Sequence, residues 1–266
     1  MIDPSRLSSL GPGVFAWETR QSSEGPALSV VAPMHDEAEG ASGLVEEIAA
    51  ALDGTAHEII IVDDSSSDDT GAVVESLQKN HPQLRLIRHG RNAGQSRAIR
   101  TGVLAARAPV IAMIDGDGQN DPADIPALYE KLTAQKDGAP LAMVAGERRK
   151  RQDSAPKRLA SSWANGLRRR LLNDGATDTG CGLKVFYREA FLRLPYFDHM
   201  HRYLPALLKR EGLAVAFLPV SHRARAHGSS KYTNFGRFLV AFRDILGVLW
   251  LLSRAKSPES IEESRD

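Results

Sequence analysis

IAMIDGDGQNDP, running from Ile111 to Pro122, sets an apolar run directly against an acidic turn. Val110 to Ile114 is unbroken hydrophobic sequence, the pattern of a short strand buried on both faces. It ends at Asp115-Gly116-Asp117-Gly118-Gln119. Alone, an Asp-x-Asp after a strand is most often a polar turn. The same residues also suit a hard cation held against a phosphorylated ligand. Mg²⁺ and Mn²⁺ prefer carboxylates and share phosphate oxygens with substrates, and glycine lets the backbone come close. The flanking chain decides between the two readings.

Upstream, Leu28-Ser29-Val30-Val31-Ala32-Pro33 reads as a first strand, followed by Met34-His35-Asp36-Glu37. Leu44, Val45, Ile48, Ala49 and Leu52 recur at helical spacing, and Gly54 ends that helix. Glu58 to Val62 is a β-branched second strand that runs into Asp63-Asp64-Ser65-Ser66-Ser67-Asp68-Asp69-Thr70. A helix carrying Val73, Val74 and Leu77 comes next, then a strand over Leu84–Ile87. Asn92-Ala93-Gly94-Gln95-Ser96 is a loop opening a helix from Arg97 to Ala106. Strands alternating with helices mean βαβ units and a mostly parallel sheet. The expected fold is therefore α/β and Rossmann-like, with flanking helices. Strands one, two and four each end in carboxylates: Asp36/Glu37, Asp63/Asp64 and Asp115/Asp117. In an open α/β sheet, ligands bind outside these carboxyl ends. Gathered like charges need a cation or hydrogen-bond donors to offset them. A Gly-x-Gly-x-x-Gly after strand one and a Gly-Lys-Ser/Thr loop are both absent, so the usual glycine cradles for phosphate are excluded.

With 266 residues, 42% hydrophobic and 25% charged, the chain can bury a sizeable core. A net charge of +1 points to no polyanionic partner, and nucleic acid is not expected. The single cysteine, Cys181, excludes an internal disulfide and a cysteine zinc cluster, and suits a reducing compartment. No window reaches the roughly 18 apolar residues that a spanning helix needs. Residues 1–26 lack the pattern of a signal peptide and read as a flexible leader.

Several motifs, in order, resemble those of family 2 inverting glycosyltransferases of the nucleotide-sugar-binding α/β type. Within that group the chain looks most like the polyprenyl-phosphate (dolichol-phosphate) mannosyl- and glucosyltransferases. The resemblance runs from about Leu28 to Arg254. It rests on Pro33-Met34-His35-Asp36-Glu37, Val62 to Thr70, Asn92-x-Gly94, Asp115 to Pro122, Asp178-Thr-Gly-Cys-Gly-Leu-Lys184 and His227-Gly-Ser-Ser-Lys231-Tyr. It implies that Pro33, His35 and Glu37 line a nucleoside pocket, with Val62 and Asp64 holding the base. It further implies that Asp115 binds the nucleoside or its diphosphate, and that Asp117 and Gln119 ligate Mg²⁺ or Mn²⁺. The family usually has Tyr-Asn-Glu where this chain has His35-Asp36-Glu37; a histidine can still stack on a base.

From Glu147 to Arg170 nine basic residues face two acidic ones. The aromatic interleaving that stacks nucleic-acid bases is missing apart from Trp163. A phosphorylated lipid at an anionic membrane suits this charge better. By resemblance, Arg148, Arg158 and Ser162 hold the acceptor phosphate, and a guanidinium fork suits that group. Arg149–Arg151 and Arg168–Arg170 are read as membrane-surface contacts. Asp178 is given a positioning role, pairing with an arginine. A phosphate acceptor is already largely anionic near pH 7, with a second pKa of about 6, and needs no general base. Cys181, between two glycines, is read as a packing residue.

Ala214–Leu218 and Val220 read as a late edge strand. Ser221 to Tyr232 then reads as a flap over a diphosphate, with Arg223 and Lys231 offsetting leaving-group charge. Apolar residues recur at helical spacing from Thr233 to Leu252, interrupted by Arg237, Arg243 and Asp244, which suits an interfacial helix or a core helix. The expected organisation is a leader (1–26), a catalytic domain (27–232), an amphipathic, membrane-associated helix (233–256) and a disordered tail (257–266). The expected activity is metal-dependent, inverting transfer of a hexose from GDP-mannose or a UDP-hexose to a polyprenyl phosphate. It would take place at the cytoplasmic face of the membrane, with peripheral attachment there, either directly or through a membrane-protein partner. The alternatives are a transferase of the same fold acting on a polysaccharide or lipid A precursor, and a non-catalytic nucleotide-sugar-binding subunit.

Overall fold

The computed structural model describes residues 25–134, 141–148, 171–172, 174–176, 178, 180–224 and 234–256. In β2 (His57–Asp63), one strand in from an edge of the sheet, Ile59, Ile60, Ile61 and Val62 are all fully buried. Successive strand residues point to opposite faces, so an unbroken β-branched run needs cover on both sides. Each such side chain contributes about 1.5–3 kcal/mol on burial. β1 (Leu28–Met34) runs parallel to β2 and to β4 (Val110–Met113), and β3 (Leu84–Arg88) runs parallel to β2.

Beyond β4 lie β6 (Lys184–Tyr187), β5 (Leu141–Arg148) and β7 (Ala214–Val220). They complete a seven-stranded sheet in the order β3-β2-β1-β4-β6-β5-β7. β6 is antiparallel to both β4 and β5, whereas β7 is parallel to β5. The carboxyl ends of the six parallel strands and the amino end of β6 therefore share one edge. β7 is an edge strand, as its sequence suggests.

Helices cover both faces. On one, α1 (Ala38–Ala51), α2 (Thr70–Leu77) and α4 (Ile125–Thr133) bury Leu44, Val45, Ile48, Val74, Ile125 and Leu128 against Val30, Ala32 and Ile61. On the other, α3 (Gln95–Ala105), α5 (Arg188–Arg193), α6 (Leu204–Arg210) and α7 (Asn234–Ser253) enclose Val31, Ile60, Val62, Phe186 and Phe191.

In α7, Val248 is fully buried, and Ile245, Leu249, Leu251 and Leu252 pack with it onto this second core. Phe242, Leu246 and Trp250 lie four residues apart on an exposed face, Trp250 being 63% exposed. Val248 and Leu251 belong to the core-facing side. Two adjoining apolar faces had merged into one pattern.

Candidate functional site

The first two acidic clusters are tied to each other. Asp36, with φ of 55°, accepts from the backbone N–H and the hydroxyl of Ser67. Ser66 Oγ accepts from the Asp36 N–H, Thr70 Oγ1 from the Glu37 N–H, and Asp68 from the Ala38 N–H. Asp63 accepts from the Ser66 N–H. Backbone amides and hydroxyls thus offset much of the charge at these two strand ends. Asp64 is more deeply committed. Its carboxylate meets His89 Nδ1 at 2.6 Å and accepts the N–H groups of Ala93 and Gly94 at 2.9 and 2.8 Å. That grip starts α3 at Gln95, two residues before the sequence expectation.

Val62 and Asp64, the residues expected at the base, are both held within the protein. Val62 lies fully buried beneath α3, and Asp64 is buried and engaged in fixing the loop from His89 to Gly94. Pro33 is buried at the end of β1. His35 and Glu37 are half-buried at the edge, and His35 Nδ1 is enclosed without a hydrogen-bond partner.

The third cluster is built differently. Gly116 lets the turn after β4 lie against β1: a Cβ there would stand 2.6 Å from the Pro33 carbonyl oxygen. Gln95 Nε2 donates to Asp115 Oδ1 at 2.8 Å, and a Cβ on Gly182 would overlap the Asp115 carboxyl. Asp115 is therefore seated between the start of α3 and the turn before β6. Burial first, then the charge of Asp117, pushes its pKa up to about 6, while Lys184, Arg148 and Gln95 oppose the shift. Lys184 is buried and donates to the Cys181 carbonyl; burial pulls its pKa down, against Cys181, Asp115 and Asp178. Cys181 is buried as expected of a packing residue, and burial raises its pKa.

Across the edge, Arg148 at the end of β5 forks onto Asp178, with Nε–Oδ2 at 2.5 Å and Nη2–Oδ1 at 2.7 Å. The arginine partner expected for Asp178 is Arg148. His222, after β7, bridges to Asn120 and is exposed; burial and then Arg148 lower its pKa, while Asp117 and Asp178 raise it. The guanidinium of Arg223 is engaged by Glu47 at 2.8 and 2.9 Å and by Asp121 at 2.8 Å. The cationic help expected of Arg223 at a leaving group is spent on these two carboxylates in this structure. Arg158, Ser162 and Lys231 lie outside the described residues.

Asp117 Oδ1 accepts the Gln119 N–H at 3.2 Å. Among the described residues no three His, Cys, Asp or Glu side chains converge as a closed metal cage. The oxygen donors that are present still fit a divalent cation completed by a ligand's phosphates. After burial, the charge of Asp117 is the next cause that raises the Asp115 pKa, and a carboxylate beside a like charge is what a cation relieves. Gln95, Lys184 and His222 join this constellation without having been singled out in the sequence. Lys184 stood within a recognised motif, which was the available signal. Gln95 stood in the loop that opens α3 and His222 in the flap after β7, but their contacts here are tertiary.

A mostly parallel sheet with acidic strand ends and a carboxylate pair at the β1–β4 edge defines the nucleotide-sugar-binding glycosyltransferase fold, and solved structures agree. Glucosyl-3-phosphoglycerate synthase from Mycobacterium tuberculosis, solved with Mn²⁺, UDP and glucosyl-3-phosphoglycerate, superposes with a TM-score of 0.64 at 21% identity, over 92% of this chain and 85% of that one. A mannosyltransferase from Pyrobaculum calidifontis, solved with GDP-Man and Mn²⁺, gives 0.62 at 18% identity, over 94% and 68%. Residues 29–194 match the model of glycosyl transferase family 2, and the chain belongs to that family. It is 33% identical over 237 residues to dodecaprenyl-phosphate galacturonate synthase of Rhizobium johnstonii, covering 87% of this chain and 69% of the relative. It is 32% identical to undecaprenyl-phosphate 4-deoxy-4-formamido-L-arabinose transferase of Edwardsiella ictaluri, covering 77% and 62%. The chain thus spans about two thirds of the length of these relatives.

Proposed function

We propose that this chain transfers a hexose, with inversion, from a nucleoside-diphosphate sugar to a polyprenyl phosphate at the cytoplasmic face of a membrane. The observation that carries this reading is the shared edge on which Asp115 and Asp117 stand together with Arg148 and Asp178. One pair suits a cation-bound diphosphate and the other brings a guanidinium suited to a second phosphate. The names of the polyprenyl-phosphate relatives support the acceptor class.

In this reading Pro33, His35 and Glu37 border the nucleoside, His35 through the exposed part of its ring. Asp117 and Gln119 would hold Mg²⁺ or Mn²⁺, with Asp115 shared with the nucleotide; the cation would supply charge neutralisation at the departing diphosphate. Arg148, oriented by Asp178, receives the acceptor phosphate, joined by Arg158 and Ser162. An acceptor oxygen attacks C1 of the sugar as the bond from C1 to the diphosphate breaks, and the electron pair leaves with the diphosphate. Lys231 is assigned to countering that charge, and Arg223 would join it only on exchanging its carboxylate partners.

Among the described residues no helix is long and apolar enough to cross a membrane. The exposed Phe242, Leu246 and Trp250, flanked by exposed Arg243, Arg254 and Lys256, suit an anionic lipid surface. Radiolabelled UDP- and GDP-sugars incubated with polyprenyl phosphate and with soluble phosphate acceptors test the proposal. Label is expected in the lipid phase alone; label only in soluble product would move the acceptor to another class.

A further inference from the structure

Lys184 occupies the amino end of β6, between the two strands that deliver the site. Its backbone pairs with Met113 of β4, two residues before Asp115, and with Ala145 of β5, three before Arg148. Its side chain turns into the protein, 2% exposed, and donates to the Cys181 carbonyl. That bond closes the turn leading into β6. Gly182, in this turn, lies against the Asp115 carboxyl, and Gly180 donates its N–H to Asp178 Oδ1 at 3.1 Å. The charges that reach Lys184 are those of Asp115 and Asp178 among the acids and Arg148 among the bases.

A buried ammonium is costly unless charges and hydrogen bonds compensate it, and an apolar residue would fill this strand position more cheaply. The two carboxylates whose charge reaches it, Asp115 and Asp178, belong to the two pairs read above as phosphate sites. Resting on the donor-site reading above, we propose that Lys184 is a positioning residue: it fixes the turn from Gly180 to Leu183 and thereby sets Asp115 and the Asp178–Arg148 fork in register with each other. It touches neither substrate. It acts through the residues that do.

Lys184→Met keeps the side-chain length and removes the charge and the donor; Lys184→Arg keeps both. Binding of UDP and GDP with and without Mn²⁺ is measured by calorimetry on wild type and both variants, at a temperature where circular dichroism shows each to be folded. Partners that orient the residues around a metal typically change affinity by about 10–100-fold when removed, and a loss in that range is expected for Lys184→Met, with Lys184→Arg recovering most of it. A folded Lys184→Met with wild-type Mn²⁺-dependent affinity overturns the assignment and leaves the donor site standing. Should Lys184→Met not fold, Lys184→Gln against Lys184→Arg decides the question: equal affinities overturn it, and a selective loss in Lys184→Gln supports it. A wild-type chain that binds neither nucleotide with Mn²⁺ removes the donor-site reading first, and this inference with it.

Discussion

Arg148 and Asp178 meet edge to edge through two parallel bonds of 2.5 and 2.7 Å, joining the end of β5 to the turn before β6. A guanidinium held in this way is fixed in plane before any phosphate arrives, which lowers the ordering cost of binding. Asp178→Asn keeps the shape and weakens the fork. A hydrogen bond to a charged group is worth about 1.5–3 kcal/mol, so the KM for the phosphate acceptor should rise by about tenfold or more while the donor KM stays put. Steady-state kinetics with each substrate varied in turn checks this. A collapse in kcat at unchanged acceptor KM would instead mark Asp178 as a general base.

Asp64 makes a different kind of contribution. Its carboxylate is buried and collects His89 and the N–H groups of Ala93 and Gly94. Asp64→Ala strands these donors, and breaking a buried charged network costs about 3–5 kcal/mol. Urea denaturation should show a loss of that order, with the slope of the transition unchanged. A variant that lost nucleotide affinity at wild-type stability would return Asp64 to the base pocket.

How far these roles were legible follows from which contacts are local. The run from Glu58 to Val62 and the alternation around it fixed β1 to β4 and their shared edge, because burial on both faces leaves a mark in the sequence itself. Asp115-x-Asp117 was legible as a pair for the same reason: it stands where an apolar strand stops. The partners of these acids were not legible. Asp36 and Asp63 meet backbone amides, Asp64 meets a loop about thirty positions away, and Arg223 meets Glu47 at the far end of the chain. Such pairings are set by the crossover connections and leave no spacing rule. The first two acidic strand ends are tied to amides and hydroxyls, whereas at the third Asp117 adds to burial in raising the Asp115 pKa.

The Asp115 pKa of about 6 has a stability consequence. Unfolded, the group titrates near 3.8. Between those values the folded chain binds more protons than the unfolded one, so stability falls as pH rises through that window and stays lower above it. By linkage the penalty at pH 7 is at most about 3 kcal/mol. In metal-free buffer Asp115→Asn should therefore raise Tm at pH 7 by about 2–6 °C, with the gain shrinking toward pH 4. The same variant should bind donor poorly. Calorimetric scans of both proteins at several pH values check the sign; a lower Tm for Asp115→Asn at pH 7 would contradict it.

The outer face of α7 separates membrane contact from folding. Phe242, Leu246 and Trp250 are exposed, whereas Val248 is buried in the core. Leu246→Glu together with Trp250→Glu should leave Tm within about 1–2 °C, as surface substitutions usually do, and reduce sedimentation with anionic vesicles severalfold. Val248→Asp should instead unfold the helix from the core. Vesicle binding unchanged in the double variant would exclude this face as the lipid contact.

Mn²⁺-dependent donor binding by Asp117→Ala tests the central assignment most directly. In a thermal-shift titration, a ligand that binds only the folded chain raises Tm with the logarithm of its concentration over its Kd. Wild type should be stabilised by UDP- or GDP-sugar more strongly with Mn²⁺ than without it. Asp117→Ala should lose the Mn²⁺-dependent part of that shift, and sugar transfer with it. Equal Mn²⁺-dependent shifts in both proteins, with transfer near the wild-type level, would contradict a cation site at Asp117.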